Sequence, residues 1–316
     1  MFRRMLCLAV PLLCAPILGQ SATVADELPA DMGAIVSLQT DNDGVLFDRD
    51  TRGYAHGERA NYTFAKNDEP AWLHSLVSWA PFGYKSRRYS LTAGRTAFAP
   101  VNGSGIVRPS ASLYYVGAGL SGQGSGKTDL LQIQVGVIEG KSPNGMNVSP
   151  YRFKTEPTIL IQHTRLWTGE NGAVFGNKFW DLTPHSTISL GTTSTYIGAG
   201  AMFRLGNAIF RENAALPALQ PNSVVHDRFR IEPKLGINLV AGFEARAVAR
   251  DTFLDGNMFR GNTGIDKKWY TGHGFVGIVM YKQSWKLAAY YVKRAREFRG
   301  QEQRSSYGSM SLTKHF

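Results

Sequence analysis

The chain has 316 residues, of which 43% are hydrophobic and 19% charged, with a formal net charge of +11. Its two cysteines, Cys7 and Cys14, both lie in the N-terminal stretch that reads as a leader, which leaves the remainder without a disulfide, a thiolate zinc site or a cysteine nucleophile. A basic surface suits an anionic partner, and for an exported chain that partner is phosphorylated lipid and not nucleic acid.

Arg3 and Arg4 precede an apolar run from Met5 to Leu18, which Pro11 and Pro16 interrupt. The small residues Gly19, Ser21, Ala22 and Ala25 follow. This order predicts a signal peptide over residues 1–25, cleaved between Ser21 and Ala25. The run is too short and too proline-broken for a spanning helix. Leu13 stands before Cys14, where a lipoprotein anchor wants a small residue. Loss of Arg3 and Arg4 lowers the net charge to about +9. No linker or composition break divides residues 26–316, which read as one domain.

Asp41, Asp43, Gly44 and Asp50 partly match a calcium-loop register. The preceding Gly33–Leu38 reads as strand, whereas an EF-hand needs a helix there. The oxygen ligands clustered here, Asp41 and Asp43 above all, stay candidates for a cation.

Further along, period-two segments recur between turn-rich stretches. Leu131, Ile133, Val135 and Val137 alternate with Gln132, Gln134 and Gly136. Ile197, Ala199, Ala201, Phe203 and Leu205 alternate with Gly198, Gly200 and Arg204. Leu235, Ile237, Leu239, Ala241 and Phe243 alternate with Gly236, Asn238, Gly242 and Glu244, and Trp285, Leu287, Ala289 and Tyr291 with Lys286 and Ala288. Each segment is about ten residues long, the length a tilted strand needs to cross a bilayer. An apolar outer face against a polar inner face is the pattern of a transmembrane barrel. The expected fold is all-β: a single antiparallel transmembrane β-barrel of about 12 strands. Tyr54, Tyr62, Tyr89, Trp167, Trp180, Trp269 and Tyr270 fall near segment ends and predict interfacial girdles. Longer loops are expected near 101–111, 139–156, 207–228 and 251–272.

Two phosphate-binding patterns carry no weight. Gly117, Gly119 and Gly122 form G-x-G-x-x-G, and Gly126-Lys127-Thr128 resembles the end of a P-loop. Both motifs need a following helix whose N-terminus meets the phosphates, and neither is followed by helical periodicity. The chain closes with a last strand-like segment, Tyr307 to Phe316, with Met310, Leu312 and Phe316 on one face.

Several stretches together resemble the outer-membrane lipid A 3′-O-deacylase family. Thr40-Asp41-Asn42-Asp43 with Arg52-Gly53-Tyr54-Ala55-His56-Gly57 is similar to the family's E-N-D … D-R-x-Y-T-N-G opening. Asp181-Leu182-Thr183-Pro184-His185, Leu190-Gly191 and Thr195 to Ala201 are similar to its T-P-H … L-G-x-x-x-T-Y-A-G-A-G-A segment. Ala245 to Arg250, Phe253 to Asn257, Arg296-Glu297-Phe298 and Gly308 to Leu312 continue the match.

The resemblance implies a twelve-stranded outer-membrane barrel and a calcium-dependent esterase. That enzyme removes the 3′-acyloxyacyl group of lipid A, or of lipopolysaccharide, among the outer-membrane lipids. It also implies recognition of the terminal Phe316 by the barrel assembly machinery. Asn42 and Asp43 occupy the family's Asn-Asp pair, with Asp41 and Asp43 as metal candidates. The family's Thr is Ala55 here, and its histidine is missing from the segment Glu139 to Arg152. His56, beside Ala55, is the candidate replacement base. His185 reads as structural, and Glu139 as a loop acid. The alternative is a family member without catalysis, which binds lipopolysaccharide or serves a structural role; a general diffusion porin is a third reading.

Overall fold

In a computed structural model of the chain, the described residues are 33–42, 54–77, 86–98, 101–103, 106–108, 110–124, 126–140, 153–168, 175–212, 229–260, 264–302 and 304–316. The expected signal peptide and Asp43 lie outside them.

The period-two segments form long strands. In chain order they are β1 (Ile35–Asn42), β2 (Tyr54–Thr63), β3 (Ser86–Phe98), β4 (Val101–Gly103), β5 (Ile106–Arg108), β6 (Ala111–Gly124), β7 (Lys127–Glu139), β8 (Glu156–Trp167), β9 (Phe175–Gly176), β10 (Trp180–Gly191), β11 (Ser194–Gly206), β12 (Glu232–Asp251), β13 (Tyr270–Gln283), β14 (Trp285–Arg294) and β15 (Ser306–His315). β4 and β5 pair only with each other, and β9 only with β10. The other twelve close into one antiparallel barrel. β1 seals it against β15, from Ile35 opposite His315 to Asn42 opposite Gly308. A closed barrel leaves no unpaired strand edge in the hydrocarbon, where each unmet backbone group is costly. The chain enters and leaves at one end of the barrel, the terminal end. The opposite, distal end carries the 99–110, 140–155, 252–269 and 295–305 connections.

Alternation sorts the side chains as the sequence predicts. Val116, Val135, Ile188, Ile197, Leu239 and Leu312 stand exposed on the outer wall. Gln132, Gln134, Arg204, Asn238, Glu244 and Lys286 are buried in the lumen. Lumen charges are paired: Arg204 with Asp181, Lys286 and the Tyr281 hydroxyl with Glu212, and Arg246 with Glu244; Arg165 and His163 pair with Asp129 on the outward face near the terminal end. Among the described residues, the inward-facing side chains are largely buried, and cavities of about 10 and 50 Å3 lie beside Asp41 and Tyr54 and beside Phe98 and Arg246.

The girdle expectation holds with two corrections. Tyr62, Trp167 and Trp180 are exposed near the terminal end, and Trp269 and Tyr270 near the distal end. Tyr54 instead points inward, and Tyr89 lies beneath a helix. That helix, α1 (Ala71–Val77), falls in a connection that strand periodicity does not mark. It lays Leu73 and Val77 on Tyr89, Ala118, Leu120 and Leu131 of the outer wall, and turns Trp72 and Leu76 outward.

The distal mouth is filled by a buried ion cluster. Arg108, carried by the β4–β5 ribbon, bonds Glu297 at 3.1 Å with both side chains at least 97% buried, and its guanidinium lies 4.1 Å over the Phe98 ring. Arg294 also bonds Glu297. A short helix, α2 (Thr252–Asp255), adds Phe253 against Phe98. Burial pulls the Arg108 guanidinium below its ordinary range. Burial alone would raise the Glu297 carboxyl, but Arg294 and Arg108 outweigh it and hold it below the usual carboxylate range.

Two outcomes follow. Val116→Arg, near mid-strand on the outer wall, should destabilise the barrel by ~2–4 kcal/mol, read by urea unfolding in vesicles. Because the folded Glu297 carboxyl lies below its unfolded value, its contribution is complete above the ordinary carboxylate range and is lost as pH falls through the folded value. Thermal unfolding in detergent should therefore show a drop in Tm on acidification that is smaller in Glu297→Gln.

Candidate functional site

The candidate residues fall at the distal ends of neighbouring strands, and the strand register decides which of them meet. Asn42 stands opposite His56, His56 opposite Ala97, Ala97 opposite Ser112, and Ser112 opposite Glu139. By alternation all five belong to the outward face of β1, β2, β3, β6 and β7. The next outward row toward the membrane is Thr40, Glu58, Arg95, Tyr114 and Val137. With strands ~4.8 Å apart, the first row spans about 19 Å. Ala97 and Ser112, small residues of this row, are fully buried.

Within the rows, His56 Nε2 lies 3.0 Å from Glu58 Oε1, with the Glu58 side chain 61% exposed. Arg95 stacks 5.4 Å from the centre of the Tyr114 ring. Charged groups on the lipid side of a barrel wall cost up to ~2–4 kcal/mol at mid-membrane and little near the interface. Glu58 and Arg95, two charged groups beside His56, make this distal patch polar. A bulge between Tyr54 and His56 sets which β2 side chains face outward at this end.

The metal candidates separate. Asp41 faces inward, where Tyr54 OH donates to Oδ2 and Gln39 Nε2 to Oδ1, each at 2.8 Å. Gly57 makes this possible, because a Cβ there would meet the Tyr54 hydroxyl at 2.0 Å. Asp43 lies outside the described residues. Among the described residues, no group of three or more His, Cys, Asp or Glu is placed to hold a metal ion. Calcium takes ~6–8 oxygens; Asp41, with both oxygens engaged, does not build such a cage.

His185, expected to be structural, is buried in the lumen with Nε2 3.3 Å from Glu244 Oε2, which also accepts from Thr187. Glu139 ends β7 on the outward row. The segment from 141 to 152, where the family's histidine was sought, lies outside the described residues. Motif reading missed Glu58 and Arg95. The signal was present in the alternation of β2 and β3, which puts a Glu and an Arg at positions meant for lipid.

A closed twelve-stranded antiparallel wall, apolar outside and polar within, defines a barrel of the outer-membrane class. The family model described as "Outer membrane protein LpxR" matches residues 6–147 and 151–316. The chain belongs to that family, and its place is the outer membrane. The fold is similar to that of LpxR from Salmonella typhimurium, with a TM-score of 0.68 and 16% identity over 89% of this chain and 100% of that one. The translocator domain of the autotransporter NalP from Neisseria meningitidis gives a TM-score of 0.42 and 14% identity over 90% of this chain and 88% of that one. The β domain of the Bordetella autotransporter BrkA gives 0.44 and 10% over 90% and 99%. No curated protein matches the sequence at a significant level.

Tyr54→Phe should cost ~1–3 kcal/mol by leaving a buried Asp41 oxygen without its donor. Urea unfolding of the variant in vesicles checks this loss.

Proposed function

We propose that this protein is an ester hydrolase of lipid A, acting at the outer leaflet on the 3′-acyloxyacyl group, with His56 as general base. The observation that carries this reading is the His56–Glu58 pair on the lipid-facing wall, 3.0 Å apart and opposite Asn42. With Nε2–H donated to Glu58, the Nδ1 lone pair is free to take a proton. A water deprotonated there attacks the ester carbonyl carbon. The acyl C–O bond then breaks, which gives a free fatty acid and the sugar hydroxyl. Asn42 offers an amide donor to the developing oxyanion, and Arg95 adds positive charge on the same face for an anionic lipid.

Calcium, implied by the motif resemblance, finds no assembled ligand set among the described residues, and the step above uses none. Asn42 and Asp43 remain the proposed family pair. Residues 1–25 serve as the proposed export signal, and Phe316, exposed at the chain end, is the proposed mark for the barrel assembly machinery. A second reading, a non-catalytic relative that binds lipopolysaccharide or stiffens the membrane, draws on Ala55 in place of Thr and on the absence of His from residues 139–152. The buried, ion-paired side chains of the lumen weigh against a diffusion porin.

Mass spectrometry of lipid A from cells with and without the protein, in calcium and in chelator, tests the proposal. The expected result is loss of a 3′ acyloxyacyl mass, slowed about 100- to 10,000-fold by His56→Ala, with the chelator arm deciding the calcium question. Unchanged lipid A around a folded, membrane-embedded protein would replace this reading with the second.

A further inference from the structure

We infer that the outer wall opposite the candidate site holds an anionic lipid, with one acyl chain in a groove across β10–β14 and its phosphate on Lys293. The groove has a volume of about 580 Å3. Its floor is set by Ala201, Ala241 and Gly274, and its walls by Phe203, Phe243 and Val276. The register explains why these sit together. Ala201 is opposite Phe243, Phe243 opposite Gly274, and Gly274 opposite Lys293; on the next row Phe203 is opposite Ala241 and Ala241 opposite Val276. Large and small side chains thus alternate on adjacent strands and leave a continuous channel.

The channel has two unlike ends. Leu182 lies near the terminal end of β10, whereas Lys293 is the next-to-last residue of β14, at the distal rim. It therefore crosses the wall obliquely, from the level of the outer-leaflet headgroups into the apolar band. Lys293 is the one charged residue of the lining. It is exposed, and its ammonium has no side-chain partner among the described residues. Arg296 and Arg304, on the connection that follows, are exposed as well. An apolar trough that ends at an unpaired ammonium on the lipid side of an outer-membrane barrel complements an acyl chain joined to a phosphate. The β10–β14 wall lies across the barrel from β2, β3, β6 and β7, so this lipid is not the proposed substrate, and the inference stands or falls independently of hydrolysis.

Gly274 offers a clean test, because a Cβ there would come no closer than 3.6 Å to any neighbour. The full-length mature barrel would be placed in nanodiscs of phosphatidylcholine with a minor fraction of phosphatidylglycerol, then released for native mass spectrometry. The expected result is retained lipid enriched in phosphatidylglycerol by roughly fivefold, the scale of one basic residue at an anionic surface. Lys293→Gln should abolish the enrichment, and Lys282→Gln, an exposed lysine at the other end of the wall, should keep it. Gly274→Leu should lower retention of both lipids. Retained lipid of bulk composition, an enrichment that survives Lys293→Gln, or full retention in Gly274→Leu would each overturn the inference.

Discussion

The antiparallel seam between β1 and β15 is the constraint on which the remaining structure depends. Eight residues of each strand pair there, from Ile35 to Asn42 against His315 to Gly308. In hydrocarbon no water can satisfy an open edge, so a twelve-stranded sheet is admissible only if its first and last strands meet. Once they do, every residue has one of two fates, lumen or lipid. A shift of one residue at the seam would exchange them for an entire strand. Leu38 outside and Asp41 inside β1 are consequences of that single register.

Closure also explains the chemistry of the interior. A twelve-stranded barrel encloses a lumen that its own side chains can fill, and this chain fills it with paired charges: Arg204 on Asp181, Lys286 on Glu212, Arg246 on Glu244. Each pair offsets the cost of removing its partners from water. The distal cluster of Arg108, Arg294 and Glu297 completes the filling at the mouth. Among the described residues the lumen is committed to such pairs, and the polar row of Asn42, His56 and Glu139 stands on the other face of the wall. The His56–Glu58 pair and the Lys293 groove occupy opposite parts of that wall, one polar and one apolar.

Much of the site was legible as residues but not as an arrangement. The motif resemblance drew attention to Asn42 and His56, and the register brings them face to face. The same motif offered Asp41 as a metal ligand, yet Asp41 turns inward onto Tyr54 and Gln39, because adjacent residues of a strand point to opposite faces. Glu58 and Arg95 belong to no motif, and only the strand register sets them on the outward face beside His56. Tyr54 and Tyr89 show the same limit from the other side: position near a strand end suggested a girdle, but one fills the lumen and the other supports α1.

By itself, the sequence determined the fold class and the alternating apolar and polar faces, and set the number of strands at about twelve, because these follow from a period of two and from the length of a bilayer crossing. It also determined which chemical groups were present and which were missing, Ala55 where a Thr was expected among them. The tertiary structure alone decided the partners: which strand lies beside which, that Asn42, His56 and Glu139 share one row, and that Gly274 meets Lys293 at the end of a groove. The physical reason is that alternation fixes only the face of a residue, whereas its neighbours are set by register between strands whose residues lie far apart in the chain.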